Sequence, residues 1–302
     1  MTAVLGAAAP YGIEQPSGRV GLRRAMAAEW TKLWSVRSTM WTLVATGVAV
    51  VGLCALSTGT VSASDLIDDP TRRSLVGIFL GQLIFGVLGV LVMGAEYGTG
   101  TIRATLAALP RRPVVLGAKV LVFGAVALVV SEVFAFAAFA LGQAILSAKH
   151  AVGASAVIAQ HAHQLGVKVP PNVKAVVSSS GSASLGQPGV LRAVIGAGLY
   201  LAVLGLLALG LATIIRHTAG AISAFVGIVL VLPLIVQALP TSISNAVARY
   251  LPANIGLVLF STHGVPDRIG SAFSPWAGFA LLVGYTVAIL GLGCWVLVRR
   301  DA

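Results

Sequence analysis

The sequence predicts an all-α integral membrane protein with six crossings, and three observations carry that reading. Hydrophobic residues fill 57% of the 302 positions against 10% charged, with a mean hydropathy of +0.95. Water does not keep such a chain in solution as a monomer. The apolar residues gather in runs of bilayer length, and the basic residues cluster at the ends of those runs. The formal net charge of +11 therefore reads as membrane topology, and no nucleic-acid partner is expected.

Residues 1–21 are expected to form a flexible tail. Pro10 follows a short apolar patch that no charged residue precedes, so no cleaved signal peptide is expected. From Leu22 to Arg37 the residues Leu22, Met26, Trp30, Leu33 and Trp34 form a stripe flanked by Arg23, Arg24, Glu29, Lys32 and Arg37. That pattern suits an amphipathic interfacial helix anchored by Trp30, Lys32 and Trp34. The competing reading is a straight extension of the first crossing.

Residues 22–302 read as one six-helix transmembrane domain, with crossings at about 39–57, 74–94, 114–148, 190–215, 219–239 and 276–298. Gly77 and Gly81 make a G-x-x-x-G pair in the second. The third is longer than one crossing requires, which implies tilt or projection beyond the lipid. Pro170, Pro171 and the serines 178–180 mark 149–187 as an external loop. Pro233 predicts a kink in the fifth crossing. Residues 240–275 are too apolar for a freely solvated connection, especially 243–251 and 255–260.

The stretch 93–113 interrupts this apolar background with Glu96, paired hydroxyls, Gly98, Gly100 and three arginines. The glycines end the preceding helix, Thr99 or Thr101 is placed to cap a new one, and Pro110 closes it after about two turns. Ile102, Leu106 and Leu109 then share one face, with Arg103 elsewhere on the circumference. The prediction is a short amphipathic helix at the membrane surface. Lys119, with Arg111 and Arg112, is expected to hold the start of the third crossing at the headgroups.

Other candidates are few. Glu132 is the one acid well inside a crossing, where an ionisable group points to a substrate pathway. Cys54 and Cys294 sit in apolar runs and read as packing residues. His150, His161 and His163 share the 149–187 segment without supporting carboxylates or thiols, so no metal site is expected.

Six crossings put both termini on one side. Twelve of the 20 basic residues, among them Arg23, Arg103, Arg112 and Arg300, fall on that side, which leaves eight for the other. The positive-inside rule makes the termini cytoplasmic.

With its predicted interfacial helix, six crossings, the Glu29-Trp30-Thr31-Lys32-Leu33 entry segment and the Glu-Tyr-x-x-Gly-Thr-x-Arg pattern at Glu96 to Arg103, the chain resembles the permease subunit of an ABC type-2 exporter. The resemblance covers most of residues 22–300. It implies that the loop between the second and third crossings is a coupling helix seated on a separate ATP-binding subunit. Glu96, Tyr97, Gly100, Thr101 and Arg103 would make the contacts. It also implies short re-entrant helices in 240–275, two ATPase copies carrying ATP and Mg, a homodimer or a second permease, and a place in the cell membrane. The long 149–187 segment departs from the tight turn expected there. No G-x-x-x-x-G-K-[ST] loop occurs in the sequence, so no cofactor is expected on this chain and no enzymatic activity of its own. The competing classes are an ion-coupled secondary transporter and a membrane-embedded enzyme. The second would need a nucleophile with its base, H-E-x-x-H or paired intramembrane aspartates, and the sequence shows none of them.

Overall fold

The computed structural model describes residues 21–61, 69–109, 111–165, 182–262 and 272–299, with backbone alone for 150–165. Residues 1–20 of the expected tail lie outside that set, as do Pro110, Pro170, Pro171 and the serines 178–180. Among the described residues every regular element is helical, and six helical stretches are long and apolar enough to cross a membrane. In chain order the elements are α1 (Leu22–Ser35), α2 (Arg37–Gly59), α3 (Pro70–Ser74), α4 (Ile78–Gly98), α5 (Thr101–Ala108), α6 (Arg112–Leu165) and α7 (Val190–Ile215). Then come α8 (Thr218–Val226), a π-helical turn (Gly227–Val231), α9 (Leu232–Gln237), α10 (Thr241–Ala248), α11 (Pro252–Leu259) and α12 (Pro275–Arg299).

Extended backbone at Val36 (φ −89°, ψ 112°) separates α1 from α2, so the first crossing is not continued by a straight helix. The stripe expected on α1 is divided. Ala25, Glu29 and Leu33 are buried, whereas Leu22, Trp30 and Trp34 are exposed. A glutamate takes the inward position because charged partners wait for it on other helices, a factor that hydropathy along one helix does not contain.

The second long helix begins at Ile78 rather than 74 and runs to Gly98, because Asp69 caps the separate short helix α3 by accepting the Arg72 N–H at 2.9 Å. Gly81 lies where Val50 of α2 presses in, and a Cβ there would collide with the valine. The G-x-x-x-G pair is thus a point of close approach. The third long helix continues to Leu165, so 149–165 is helical and only the later part of the expected loop lies beyond it. In the fifth, the π turn precedes Pro233. The Leu232 N–H reaches back five residues to the Gly227 carbonyl, which gives the proline ring room in place of a simple kink. Two short helices, α10 and α11, occupy the apolar part of 240–275.

The core is built around α7. Its most apolar window is 72% buried, against 28% for that of α2, and it packs on α4, α6 and α12. The Gly205 carbonyl occupies the space that a Cβ at Gly89 would need, which brings the backbones of α4 and α7 into contact. Cys54 is buried and directs its thiol at the Ala138 carbonyl, a packing role.

At the α3 end of the bundle, polar side chains tie helices to backbone. Buried Asp69 accepts from the Thr262 N–H at 2.6 Å and from its hydroxyl at 2.7 Å. Gln143 of α6 donates to the Pro70 carbonyl and to Ser74 and accepts from the Ala183 N–H at 2.6 Å. Arg192 of α7 donates to the carbonyls of Leu259 and Ser261, both at 2.8 Å.

Candidate functional site

The last turn of α4 and the helix that follows form the most chemically dense part of the molecule. Gly98 is the final residue of α4, and the Thr99 N–H closes the turn on the Ala95 carbonyl. Gly100 then adopts φ +72°, a conformation that costs a residue with a Cβ about 1–2 kcal/mol, and opens α5. Neither threonine caps α5. The hydroxyls of Thr99 and Thr101 instead bond each other at 2.9 Å, with Thr99 also donating to the Ala95 carbonyl. Ile102 is buried and Leu106 packs against the core, while Arg103 and Thr101 are exposed. The helix ends at Ala108 without a described contribution from Pro110.

Glu96, one turn before that bend, points inward. Its Oε1 accepts from Lys119 Nζ of α6 at 2.8 Å and also from Lys32 of α1. Lys119 donates to Glu29 Oε2 of α1 at 2.8 Å, and Lys32 lies 3.5 Å from Glu29 Oε1. Two carboxylates and two ammonium groups therefore close a neutral cluster. Such neutrality is what a buried set of charges needs, since each ion loses several kcal/mol of hydration. Lys119 is completely buried, whereas the Lys32 side chain is 42% exposed. For Lys32, burial opposes the charged form, but hydrogen bonds and charge from Glu96 and then Glu29 outweigh it and raise its pKa above the ordinary lysine value.

Tyr97, the next residue, faces another direction. The Arg216 guanidinium lies 5.8 Å from the centre of its ring. Arg216 closes α7 in a left-handed conformation (φ 57°) and donates to the Val296 carbonyl of α12 at 3.1 Å. Arg112 of α6 donates to the neighbouring Leu297 carbonyl at 2.9 Å, so two cations satisfy the carbonyl end of α12. Through Glu96 and Tyr97 the end of α4 is thus connected to α1, α6, α7 and α12.

No family model matches this chain, and neither does any curated protein.

Of the residues singled out in the sequence, Glu96, Tyr97, Gly100, Thr101 and Arg103 occupy one continuous bend, but they face opposite ways. Glu96 is buried in the ion cluster, whereas Thr101 and Arg103 are exposed. Trp30 and Trp34 pack with ring centres 5.6 Å apart and planes tilted by 57° on the outer side of α1, whereas Lys32 between them turns toward Glu96. Lys119 does not reach toward headgroups; it is the centre of the cluster. The sequence held one signal for this, because Val114–Ala118 already place Lys119 past the start of the apolar run, where an ammonium group needs a partner. Glu29 and Arg216 carried no such mark.

Glu132 is far from this bend. Both of its carboxyl oxygens are buried against α7 beside Gly198, where an added Cβ would collide with them. The adjacent Ser131 donates to the Gly198 carbonyl at 2.8 Å. The side chains of His150, His161 and His163 lie outside the described residues.

Proposed function

We propose that this chain is the membrane-spanning permease subunit of an ATP-driven transporter of the ABC type-2 exporter kind, with α5 as the coupling helix on a separate ATP-binding subunit. The observation that carries the reading is the division of the 96–103 bend. Its inner half, Glu96 and Tyr97, contacts α1, α6 and the Arg216 that closes α7, and its outer half presents Thr101 and Arg103 to solvent. An element that is exposed on one side and rigidly connected on the other transmits a push. Two copies of the ATPase, holding ATP and Mg, would act on a dimer of this chain or on its pair with a second permease. The cargo class is hydrophobic or amphipathic, in keeping with an interior of aliphatic residues and glycine. Four of the five tryptophans, Trp30, Trp34, Trp41 and Trp295, are exposed near the same end of the helices as Arg37, Arg103 and Arg299. The arginines support an orientation with both termini cytoplasmic, and the tryptophans support α1 at the interface.

The test is Arg103→Glu, which leaves Arg111, Arg112 and the ion cluster untouched. Insertion and folding are expected to be unchanged, with export falling at least about tenfold or the ATPase no longer co-purifying. Wild-type export from an assembled complex carrying this variant would remove α5 from the coupling role. A second reading, an ion-coupled transporter, is favoured by Glu132 alone. It requires transport by the chain without any ATPase, which the same reconstitution measures.

A further inference from the structure

Between α1, the first turn of α2 and the ends of α4 and α5 lies a cavity of about 360 Å³. Its deep wall is apolar, formed by Leu33, Leu88, Leu91 and Val92. Its polar lining comprises the exposed Ser38 and Thr101, the half-exposed Lys32, and the buried carboxylates of Glu29 and Glu96. At roughly 30 Å³ per water it has room for about a dozen, yet that wall offers them no hydrogen bonds. The shape and chemistry suit an amphiphile with its tail inside and its head at the mouth.

Charge decides which head. Although the ion cluster is neutral, its members are not equally accessible. The Lys32 side chain is 42% exposed, whereas those of Glu29 and Glu96 are 10% and 7% exposed. The cluster member most open to a ligand at the mouth is therefore Lys32, although both carboxylates also line the cavity. Two helix N-termini open on the same space, α2 through Val36 and Ser38 and α5 through Thr101. Neither has a side-chain cap, so their first N–H groups present partial positive charge to the mouth. Arg37, exposed beside Ser38, adds to the same field.

We propose that this cavity binds one anionic phospholipid of the surrounding bilayer, its phosphate held by Lys32 and the N-termini of α2 and α5, with an acyl chain along Leu33, Leu88, Leu91 and Val92. The site requires only that the chain sits in a bilayer, and it stands or falls separately from ATPase coupling. The lipid lies between α1 and α4, the helices that the Lys32–Glu96 pair joins.

The experiment is native mass spectrometry of the full-length chain in detergent, titrated with phosphatidylglycerol and with phosphatidylcholine of the same acyl composition. The first phosphatidylglycerol is expected to bind at least about fivefold tighter than phosphatidylcholine. Ala95→Trp, at an exposed position lining the cavity and outside the ion cluster, fills the space and abolishes that preference at an unchanged melting temperature. Ser38→Asp suits the start of α2 but repels phosphate, and brings the anionic lipid to parity with the zwitterionic one. Lys32→Gln has the same effect where it folds. Equal affinity for both lipids in the native chain overturns the proposal, as does a folded Ala95→Trp protein that keeps the native preference.

Discussion

The two ends of the helix bundle are held by different chemistry. At the α4–α5 end, ions from α1, α4 and α6 pair with one another through Glu29, Lys32, Glu96 and Lys119. At the α3 end, Asp69, Gln143 and Arg192 bond mainly to backbone groups. Lys119 and Gln143 lie on the same helix, 24 residues and about 36 Å apart. The partners at the α3 end include main-chain groups of Pro70, Ala183, Leu259, Ser261 and Thr262, so helices are tied there to connecting segments. An ion cluster buried as a neutral set depends most on its fully buried member, because removing Lys119 strands carboxylate charge that water cannot reach. If α5 has the proposed coupling role, motion would enter at the ion-paired end.

Three substitutions break or sharpen this comparison. The largest effect is expected from Lys119→Met, which leaves two carboxylates with only the half-exposed Lys32. Unfolding of the purified protein in detergent should show a loss of about 3–5 kcal/mol, and adding Glu29→Gln and Glu96→Gln should restore most of it. A Lys119→Met protein that melts at the native temperature would mean the cluster does not bind the helices together.

Asp69→Asn comes next. Asparagine keeps one acceptor oxygen where aspartate used two, so about 1–3 kcal/mol should be lost at the α3 end. Combined with Lys119→Met, the two losses should add to within about 0.5 kcal/mol at this separation. A strong coupling energy would show that the ends are not independent.

The smallest effect belongs to Lys32→Met, about 1 kcal/mol or less, because water screens that ammonium. Its pKa is raised on folding, so its contribution is complete below the ordinary lysine pKa and fades as pH rises through the higher folded value. The difference in melting temperature between native and Lys32→Met chains should hold through neutral pH and shrink only under strongly alkaline conditions. A difference that already disappears at neutral pH would contradict the raised pKa.

The six apolar helices were legible in the sequence because length and hydropathy are local properties, and a bilayer imposes both on each segment by itself. The bend at Gly98 and Gly100, and the buried Ile102 beside an exposed Arg103, followed equally from local turn chemistry and helical period. Other features were not local. The windows of α6 and α7 have nearly the same mean hydropathy, 2.4 and 2.3, but one is 33% buried and the other 72%. Only packing distinguishes a central helix from a peripheral one. The partners of Lys119 lie 23 residues away at Glu96 and 90 residues away at Glu29, and neither is visible in the local pattern that made Lys119 resemble a headgroup contact. Hydropathy records that burying such a charge is costly. Tertiary structure alone decides which opposite charge is brought to meet it, because that depends on how helices distant in sequence cross.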